Sequence, residues 1–324
     1  MCTAATYMTK DFYFGRTLDL DFSYGDEIVI MPRRFSFHFR EMGAMRSHYA
    51  MIGMAHVADG VPLYYEAVNE KGLAIAGLNF IGNAYYNESE DGKYNVAPFE
   101  LIPWLLGQCA TVGEAEGLIE NLNLVNTPFN AELPPSELHW MIADGDGAVT
   151  LESTRSGIQV SKNEVGILTN NPTFGEQMFQ LNNYMYLSIG EPQNNFCSKL
   201  PLKTYSNGMG AMGLPGDWSS QSRFVKAAFA KLNSVSGDSE LESVSQFFHI
   251  LGSVEQLRGC CSVGEGKYDI THYTSCCNTQ KGIYYYTTYD NHQITAVNMH
   301  HVDLDGVRLT KYPPIQREQV WMQN

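Results

Sequence analysis

The sequence has little positive charge and no long hydrophobic run, and both shortages narrow the possible functions. Lysine and arginine total 21 against 35 aspartate and glutamate residues, so the 324-residue chain has a formal net charge of −14. Nucleic-acid binding needs clustered cations, so no nucleic-acid partner is expected. Apolar stretches such as residues 102–106 are far shorter than the roughly 20 residues of a membrane span. No secretory signal opens the sequence, which predicts a cytoplasmic protein without membrane insertion.

The cysteines number seven, an odd count that argues against a disulfide framework. Two vicinal pairs, Cys260-Cys261 and Cys276-Cys277, could supply thiolates to a metal ion or to a redox site. Adjacent strand residues point to opposite faces, however, and zinc-binding cysteines are usually separated by about two to four residues. The spacing therefore favours small buried thiols, and we expect neither a metal nor another cofactor.

The arrangement of hydrophobic patterns predicts the fold class. No linker, repeat or shift in composition divides the chain, so a single domain over residues 1–324 is expected. Groups of strands and helices alternate, which favours an α+β protein with helices outside antiparallel sheets over a doubly wound parallel sheet. The expected elements are strands at 2–7, 12–18, 27–31, 49–56, 63–66 and 73–79, helices at 99–109 and 112–122, strands at 138–143 and 148–152, helices near 174–187, from 219 or 220 to 232 and at 241–251, and strands at 269–276, 282–289 and 293–298.

A cysteine follows the initial methionine, and removal of Met1 would leave Cys2 with a thiol and a free α-amino group. The ordinary pKa is about 8.5 for a thiol and about 7.7–8.0 for an α-amine, so at neutral pH part of the amine can accept the thiol proton. One residue can thus supply a nucleophile and its general base. A cysteine at this position can also be incidental, so the rest of the chain must supply a site.

Five polar residues are candidates for that site. Arg16 and Asp19 follow the first hairpin strand but should face opposite sides of a regular strand, so the strand must bulge or end between them if both serve one site. The alternative is a surface ion pair. Asn79 and Asn170 each end an apolar strand, where an amide is either a turn former or a hydrogen-bonding site residue. Arg223 lies in the first turn of a helix, where the dipole disfavours a cation, so another purpose is expected.

Together these segments resemble the choloylglycine hydrolase family, which includes bile salt hydrolases and penicillin V acylases. The resemblance covers essentially the whole chain, is stronger to the bile salt hydrolases, and depends on the order and spacing of short motifs. The motifs are Met1-Cys2-Thr3, Gly15-Arg16-Thr17-Leu18-Asp19, Asn69-Glu70-Lys71-Gly72-Leu73, Gly77-Leu78-Asn79-Phe80, Leu138-His139-Trp140-Met141-Ile142, Leu168-Thr169-Asn170-Asn171-Pro172, Gly213-Leu214-Pro215-Gly216-Asp217 with Ser222-Arg223-Phe224, and Lys281-Gly282-Ile283-Tyr284-Tyr285-Tyr286.

The resemblance implies an N-terminal nucleophile hydrolase with an αββα sandwich, assembled as a homotetramer. Cys2 would be the nucleophile once Met1 is removed. Asp19 would hold the α-amino group, and Arg16 would favour the thiolate. Asn79 and Asn170 would donate to the oxyanion, and Arg223 would organise the site.

The implied substrates are glycine- or taurine-conjugated bile acids, cleaved at the amide bond. Penicillin V acylases often have a tyrosine at the position of Asn79, so an asparagine favours bile salts. The family suggests an apolar wall for the steroid, although ordinary core packing is the alternative for each member: Leu18, Tyr24, Tyr65, Phe129 and Leu133. The loop Tyr205-Ser206-Asn207-Gly208 could meet the substrate or a neighbouring subunit. Competing interpretations are hydrolysis of another amide, such as penicillin V or an acyl-homoserine lactone, and a sterol-binding protein without catalysis.

Overall fold

Twenty strands and five α-helices make up the computed structural model, which describes residues 1–324. The strands are β1 (Cys2–Met8), β2 (Phe12–Leu20), β3 (Asp26–Met31), β4 (Phe37–His38), β5 (Ala44–Met45), β6 (Met51–Ala58), β7 (Val61–Asn69), β8 (Ala74–Asn79), β9 (Tyr94–Val96), β10 (Leu122–Leu124), β11 (Leu138–Asp144), β12 (Gly147–Thr154), β13 (Gly157–Lys162), β14 (Ile167–Leu168), β15 (Ser262–Gly264), β16 (Lys267–Tyr268), β17 (Ile270–Asn278), β18 (Ile283–Thr288), β19 (Asn291–Asn298) and β20 (Thr310–Tyr312). The helices are α1 (Leu101–Gln108), α2 (Val112–Ile119), α3 (Phe174–Gln180), α4 (Ser220–Asn233) and α5 (Glu240–Gly252).

Two antiparallel sheets form the centre of the molecule. One has six strands in the order β14-β1-β2-β17-β18-β19, and the other has eight in the order β13-β12-β11-β8-β7-β6-β3-β20. Strands β1 and β2 contact β8 across the space between the sheets. Helices α4 and α5 pack on the six-stranded sheet, whereas α1 and α2 pack on the eight-stranded sheet. The expected αββα sandwich is therefore confirmed.

The central hairpin is covered on both sides, which explains its composition. Residues 2–7 of β1 and 12–19 of β2 are buried, because one face meets the second sheet and the other meets α4 and α5. Strands covered on both faces carry apolar residues continuously instead of alternating them with polar ones. Polar side chains within such strands need partners inside the protein. The buried Arg16 and Asp19 of β2 are therefore conspicuous.

Most predicted elements are confirmed, but two helices are shorter than expected. The helix predicted near 174–187 ends at Gln180 and continues only as a 3-10 turn, because the residues that follow are largely exposed and have little core to pack against. The helix predicted at 112–122 ends at Ile119, and residues 122–124 instead form β10, which pairs in parallel with β9. The edge strand β13 was not predicted; its apolar alternation is limited to Ile158 and Val160, and most of its residues are exposed. None of the helices combines the length and apolarity needed to cross a bilayer.

The expectation of buried thiols is only partly right. Cys276 and Cys277 are buried in β17, and burial raises the pKa of both thiols. Cys260 is exposed and Cys261 is half-buried, because both lie in a turn before β15 that packs poorly against the body of the protein. No group of three or more histidine, cysteine, aspartate or glutamate side chains is arranged to hold a metal ion.

Candidate active site

Cys2 begins β1, and its side chain lies on the same face of the sheet as Leu18 and Arg16. Cys2 pairs directly with Leu18, and Ala4 pairs with Arg16, in the register of β1 and β2. Directly opposed residues of an antiparallel pair present their side chains on the same face. The side chains of Cys2, Arg16 and Leu18 accordingly line one cavity, although Cys2 is only 2% exposed.

Arg16 is fixed by backbone carbonyls behind this cavity. Its guanidinium donates to the carbonyl oxygens of Tyr65, Gly77 and Thr17. Burial opposes the charged form, yet the negative charges of a Cys2 thiolate and of Glu66 more than offset it and raise the pKa of Arg16. Arg16 is thus a rigidly held, buried cation that lines the same cavity as the Cys2 side chain.

Glu66 is a buried carboxyl that was not expected from the sequence. Its Oε2 lies 3.9 Å from Arg16 Nε and accepts a hydrogen bond from Tyr273 at 2.7 Å. Its Oε1 accepts from Ser275 and Tyr284. Burial raises the pKa of Glu66 to about 7, although Arg16 and the hydroxyl donors favour the ionised form. The only sequence signal is one acidic residue inside the otherwise apolar run of β7.

Asp19 and Arg223 occupy the opposite face of β2. Asp19 Oδ1 accepts from Thr271 at 2.7 Å and Oδ2 accepts from Thr17 at 3.2 Å. Arg223 Nη1 lies 4.0 Å from Asp19 Oδ2. Burial raises the pKa of Asp19, partly countered by Arg223, and burial lowers the pKa of Arg223. The alternative of a surface ion pair for Asp19 and Arg16 is wrong, because both side chains are buried.

The condition that β2 must bulge or end between Arg16 and Asp19 is also wrong. The register of β2 with β1 is regular, and the irregularity lies on the neighbouring β17, between Thr271 and Tyr273. The side chains of Arg16 and Asp19 do face opposite sides of the sheet. Both lie near Cys2, because different atoms of Cys2 are accessible from each side. Its thiol faces the Arg16 side, whereas its carbonyl accepts from Arg223 Nη1.

Asn170 connects Cys2 to the remaining site residues. Its Oδ1 accepts from the Cys2 backbone nitrogen at 2.8 Å and from Arg223 Nη2 at 2.7 Å. Its Nδ2 donates to the carbonyl of Asn79 at 2.8 Å, and its backbone nitrogen donates to Ser220 Oγ at 2.8 Å. Asn170 Oδ1, rather than the Asp19 carboxylate, is therefore the direct partner of the Cys2 nitrogen.

Asn79 and Met1 lie on either side of Cys2. Asn79 ends β8, is half-buried and lines the same cavity as the thiol. The Met1 amine donates to the Asp19 carbonyl and lies 3.3 Å from Asp269 Oδ2, while the Met1 carbonyl accepts from the Asp19 nitrogen at 2.8 Å. While Met1 is attached, the Cys2 nitrogen is an amide N–H and not an amine.

The cavity has a volume of about 260 Å³ and a mostly apolar wall. All five residues suggested for substrate binding lie along it, namely Leu18, Tyr24, Tyr65, Phe129 and Leu133. Leu18 and Phe129 are also buried, so they pack in the interior and line the cavity at once. Further wall residues that the sequence did not suggest are Leu20, His56, Leu63, Phe99, Ile102 and Leu138.

Comparisons with known proteins identify the family of the chain. The family model described as linear amide C–N hydrolases, choloylglycine hydrolase family, matches residues 2–312. A bile salt hydrolase/transferase from Lactiplantibacillus plantarum is 53% identical over 97% of this chain and 97% of its own. A bile salt hydrolase/transferase from Clostridium perfringens is 36% identical, with 96% of each chain covered.

Solved structures give the same result. The C2A mutant of conjugated bile acid hydrolase from Clostridium perfringens superposes with a TM-score of 0.93, with 34% identity and 100% of both chains covered. Penicillin V acylase from Agrobacterium tumefaciens, at 19% identity and a TM-score of 0.75 over 96% of this chain and 90% of its own, shares the fold. The chain belongs to the choloylglycine hydrolase family of linear amide C–N hydrolases.

Proposed function

We propose that this protein hydrolyses the amide bond of glycine- or taurine-conjugated bile acids, with Cys2 as the nucleophile after removal of Met1. The observation that carries the proposal is the position of the Cys2 side chain, which shares an apolar cavity with Arg16 and Asn79. The 53% identity to a bile salt hydrolase/transferase over nearly the whole chain supports the choice of substrate.

The reaction follows from the groups around Cys2. The free α-amine of Cys2, oriented by Asn170 Oδ1, accepts the thiol proton, and Arg16 stabilises the thiolate. The sulfur attacks the amide carbonyl carbon, forming a C–S bond, and Asn79 donates to the oxyanion. The C–N bond then breaks as the ammonium of Cys2 returns its proton to the leaving nitrogen of glycine or taurine. Water hydrolyses the thioester with the same amine as base, which restores the thiol.

Asp19 and Arg223 support the amine from the opposite face of the sheet. Arg223 donates to the Cys2 carbonyl and to Asn170 Oδ1, which fixes the two groups between which the amine lies. Asp19 is a buried carboxyl beside Arg223, and two threonine hydroxyls complete its hydrogen bonds. A negative charge on Asp19 stabilises the ammonium form of the Cys2 α-amine that appears during turnover.

Initial rates on glycocholate, taurocholate and penicillin V at equal concentration test the substrate assignment. We expect product release from both conjugates, and turnover of penicillin V at least roughly 10-fold slower, since a site built for one acyl group discriminates by a few kcal/mol against another. Faster turnover of penicillin V would contradict the proposed substrate. Sterol binding without product release would instead indicate a binding protein.

We propose further that the protein forms a homotetramer through the segment between α3 and α4. Large apolar side chains are unusually exposed there, and exposed apolar patches of this kind mark interaction surfaces. The family resemblance supports four copies. The exposed side chains are Met185, Tyr186, Ile189, Phe196, Leu200, Leu202, Tyr205 and Met212.

The double substitution Phe196→Ser and Tyr205→Ser is expected to reduce assembly. These side chains are 83% and 77% exposed in the isolated chain, so their loss removes interface area without disturbing the core. Light scattering coupled to gel filtration should give about four times the chain mass of 36.3 kDa for the wild type and a smaller mass for the variant. Trp321→Ser, at 89% exposure near the C-terminus, is the matched control and should leave the mass unchanged. A monomeric wild type would contradict the assembly.

A further inference from the structure

His139 is completely buried, and both of its ring nitrogens face hydrogen-bond acceptors. In β11, Nε2 lies 2.9 Å from the carbonyl oxygen of Thr169 and Nδ1 lies 3.1 Å from Glu152 Oε1. A carbonyl oxygen cannot donate, so Nε2 carries a proton. The motif containing His139 supports the family resemblance, but neither His139 nor Glu152 has a part in the reaction described above.

Counting protons fixes the state of the pair. One further proton must lie between Nδ1 and Glu152 Oε1, because two lone pairs facing each other in a dry interior would be strongly unfavourable. The pair therefore holds two protons and has no net charge, whether it is written as imidazolium and carboxylate or as two neutral groups. A net-neutral pair is the form that a buried site tolerates.

The pair makes three contacts outside β11 and β12, two hydrogen bonds to the backbone and one stack on an aromatic ring. Glu152 Oε1 also accepts from the backbone nitrogen of Phe174 at 2.9 Å. The His139 ring stacks on Phe80, with ring centroids 4.3 Å apart and planes inclined by 7°. With the bond to Thr169, these contacts tie β11 and β12 to the end of β8 and to the segment that precedes α3.

Two of those contacts adjoin asparagines of the candidate site. Thr169 immediately precedes Asn170, and Phe80 immediately follows Asn79. Asn170 in turn holds the Cys2 nitrogen at 2.8 Å and the Asn79 carbonyl at 2.8 Å. A displacement of either backbone segment would move the partner of the Cys2 nitrogen, and misplacement of such groups is costly to catalysis.

We propose that His139 and Glu152 form a net-neutral pair holding two protons, which positions Asn170 and Asn79 relative to Cys2. Neither residue touches the cavity, so both are positioning residues and not catalytic ones. The effect on turnover rests on the proposed function, whereas the effect on the backbone at Thr169 does not.

Substitution of His139 by phenylalanine separates this role from plain packing. His139→Phe retains a ring that can stack on Phe80 but removes both nitrogen donors. Glu152→Gln is the milder variant: its amide nitrogen can donate to Nδ1 while Nε2 still donates to Thr169, but an amide nitrogen in place of Oε1 no longer accepts from the Phe174 nitrogen. The matched control is His48→Phe, because His48 is 7% exposed and also bonds two backbone carbonyls, those of Tyr49 and Phe35, outside the cavity.

Three measurements are made on each variant: steady-state kinetics with glycocholate, thermal unfolding, and hydrogen–deuterium exchange over residues 167–174. For His139→Phe we expect kcat to fall roughly 10- to 100-fold with KM changed less than about 3-fold, because the asparagines act mainly in the transition state. Hydrogen–deuterium exchange over residues 167–174 should rise in His139→Phe. Both kcat and the exchange of Glu152→Gln should lie between the values for His139→Phe and for the wild type. His48→Phe should lower the unfolding temperature while kcat stays within about 3-fold of wild type.

Several outcomes would overturn the proposal. A kcat for His139→Phe within about 3-fold of wild type, with a loss of thermal stability like that of His48→Phe, would reduce the pair to a packing role. Unchanged exchange over residues 167–174 in either variant of the pair would show that it does not hold this backbone. If the wild type fails to hydrolyse glycocholate, the proposed function fails. Hydrogen–deuterium exchange over residues 167–174 then decides by itself whether the pair holds this backbone. If His139→Phe does not fold, the same measurements on Glu152→Gln decide it.

Discussion

Replacing Cys2 with alanine is expected to eliminate turnover of conjugated bile acids, with a loss of about 10⁴-fold or more in kcat. Removing the nucleophile abolishes the covalent pathway, and the remaining polar groups cannot supply a substitute sulfur. Steady-state release of glycine from glycocholate, followed with a fluorogenic amine reagent, measures the loss directly.

The substitution should leave the fold intact. Cys2 is buried but small, so alanine removes only one sulfur atom from the sheet and should cost on the order of 1 kcal/mol of stability. The two hydrogen bonds made by the backbone of Cys2, to Asn170 Oδ1 and from Arg223 Nη1, do not involve the thiol and remain possible. Unfolding followed by circular dichroism should therefore give nearly the wild-type transition.

Cys109→Ala is the matched control for this experiment. Cys109 is also 2% exposed, follows α1, and lies outside the cavity. The Cys109→Ala substitution also removes one buried sulfur atom. It should keep kcat within about 2-fold of wild type, as expected for a substitution away from the reacting atoms. Turnover by Cys2→Ala comparable with that of Cys109→Ala would contradict the assignment of the nucleophile.

The sequence predicted the layers of the fold because local patterns encode them. The β1–β2 hairpin, α4 with its cap at Ser219, and the three consecutive strands β17, β18 and β19 all appear close to their expected bounds. In each of them, apolar periodicity agrees with the packing that the structure shows. The elements that were missed, such as β13 and β10, are short strands stabilised by backbone pairing, β13 with β12 and β10 with β9, which apolar periodicity does not reveal.

The chemistry around Cys2 was less accessible to the sequence. Motif matching named Arg16, Asp19 and Asn170, and the structure brings all three close to Cys2. The sequence could not show that Arg16 and Asp19 approach that residue from opposite faces of one regular strand, because this depends on where the strand ends and on what covers each face.

The buried acidic groups were missed for a similar reason. Glu66 and Glu152 interrupt apolar strands, which is a weak local signal. Their partners are distant in sequence: Glu66 meets side chains of β17 and β18 more than 200 residues away, and Glu152 meets His139 across a hairpin. Only the folded arrangement shows that each carboxyl is paired and that each pair lies behind a residue of the candidate site.

A form that retains Met1 is expected to be inactive, and exposure of Cys2 at the N-terminus should restore turnover. With Met1 attached, the Cys2 nitrogen belongs to a peptide bond and donates its hydrogen to Asn170 Oδ1 at 2.8 Å, so it has no lone pair available to accept the thiol proton. Loss of a general base lowers rates by about 10²- to 10⁴-fold.

The surroundings of Met1 indicate what its removal changes. The Met1 amine is held by the Asp19 carbonyl and by Asp269, so the positive charge lies one residue away from the position that the mechanism needs. After removal, the new amine is attached to Cys2 itself, and Asn170 Oδ1 is already placed as its partner. Removal also frees the groups that Met1 held, namely the Asp19 backbone nitrogen and carbonyl and the Asp269 carboxylate.

A cleavable N-terminal tag whose removal leaves Cys2 as the first residue gives a direct test. Before cleavage the protein should be folded and inactive, and activity should rise in proportion to the fraction of chains that intact mass spectrometry shows to begin at Cys2. The same tag on Cys2→Ala should give no activity before or after cleavage, which separates the amine from any effect of the tag. Equal turnover by a preparation whose mass shows residue 1 fully retained would rule out the α-amine as the base, because a peptide nitrogen cannot take the proton from the thiol.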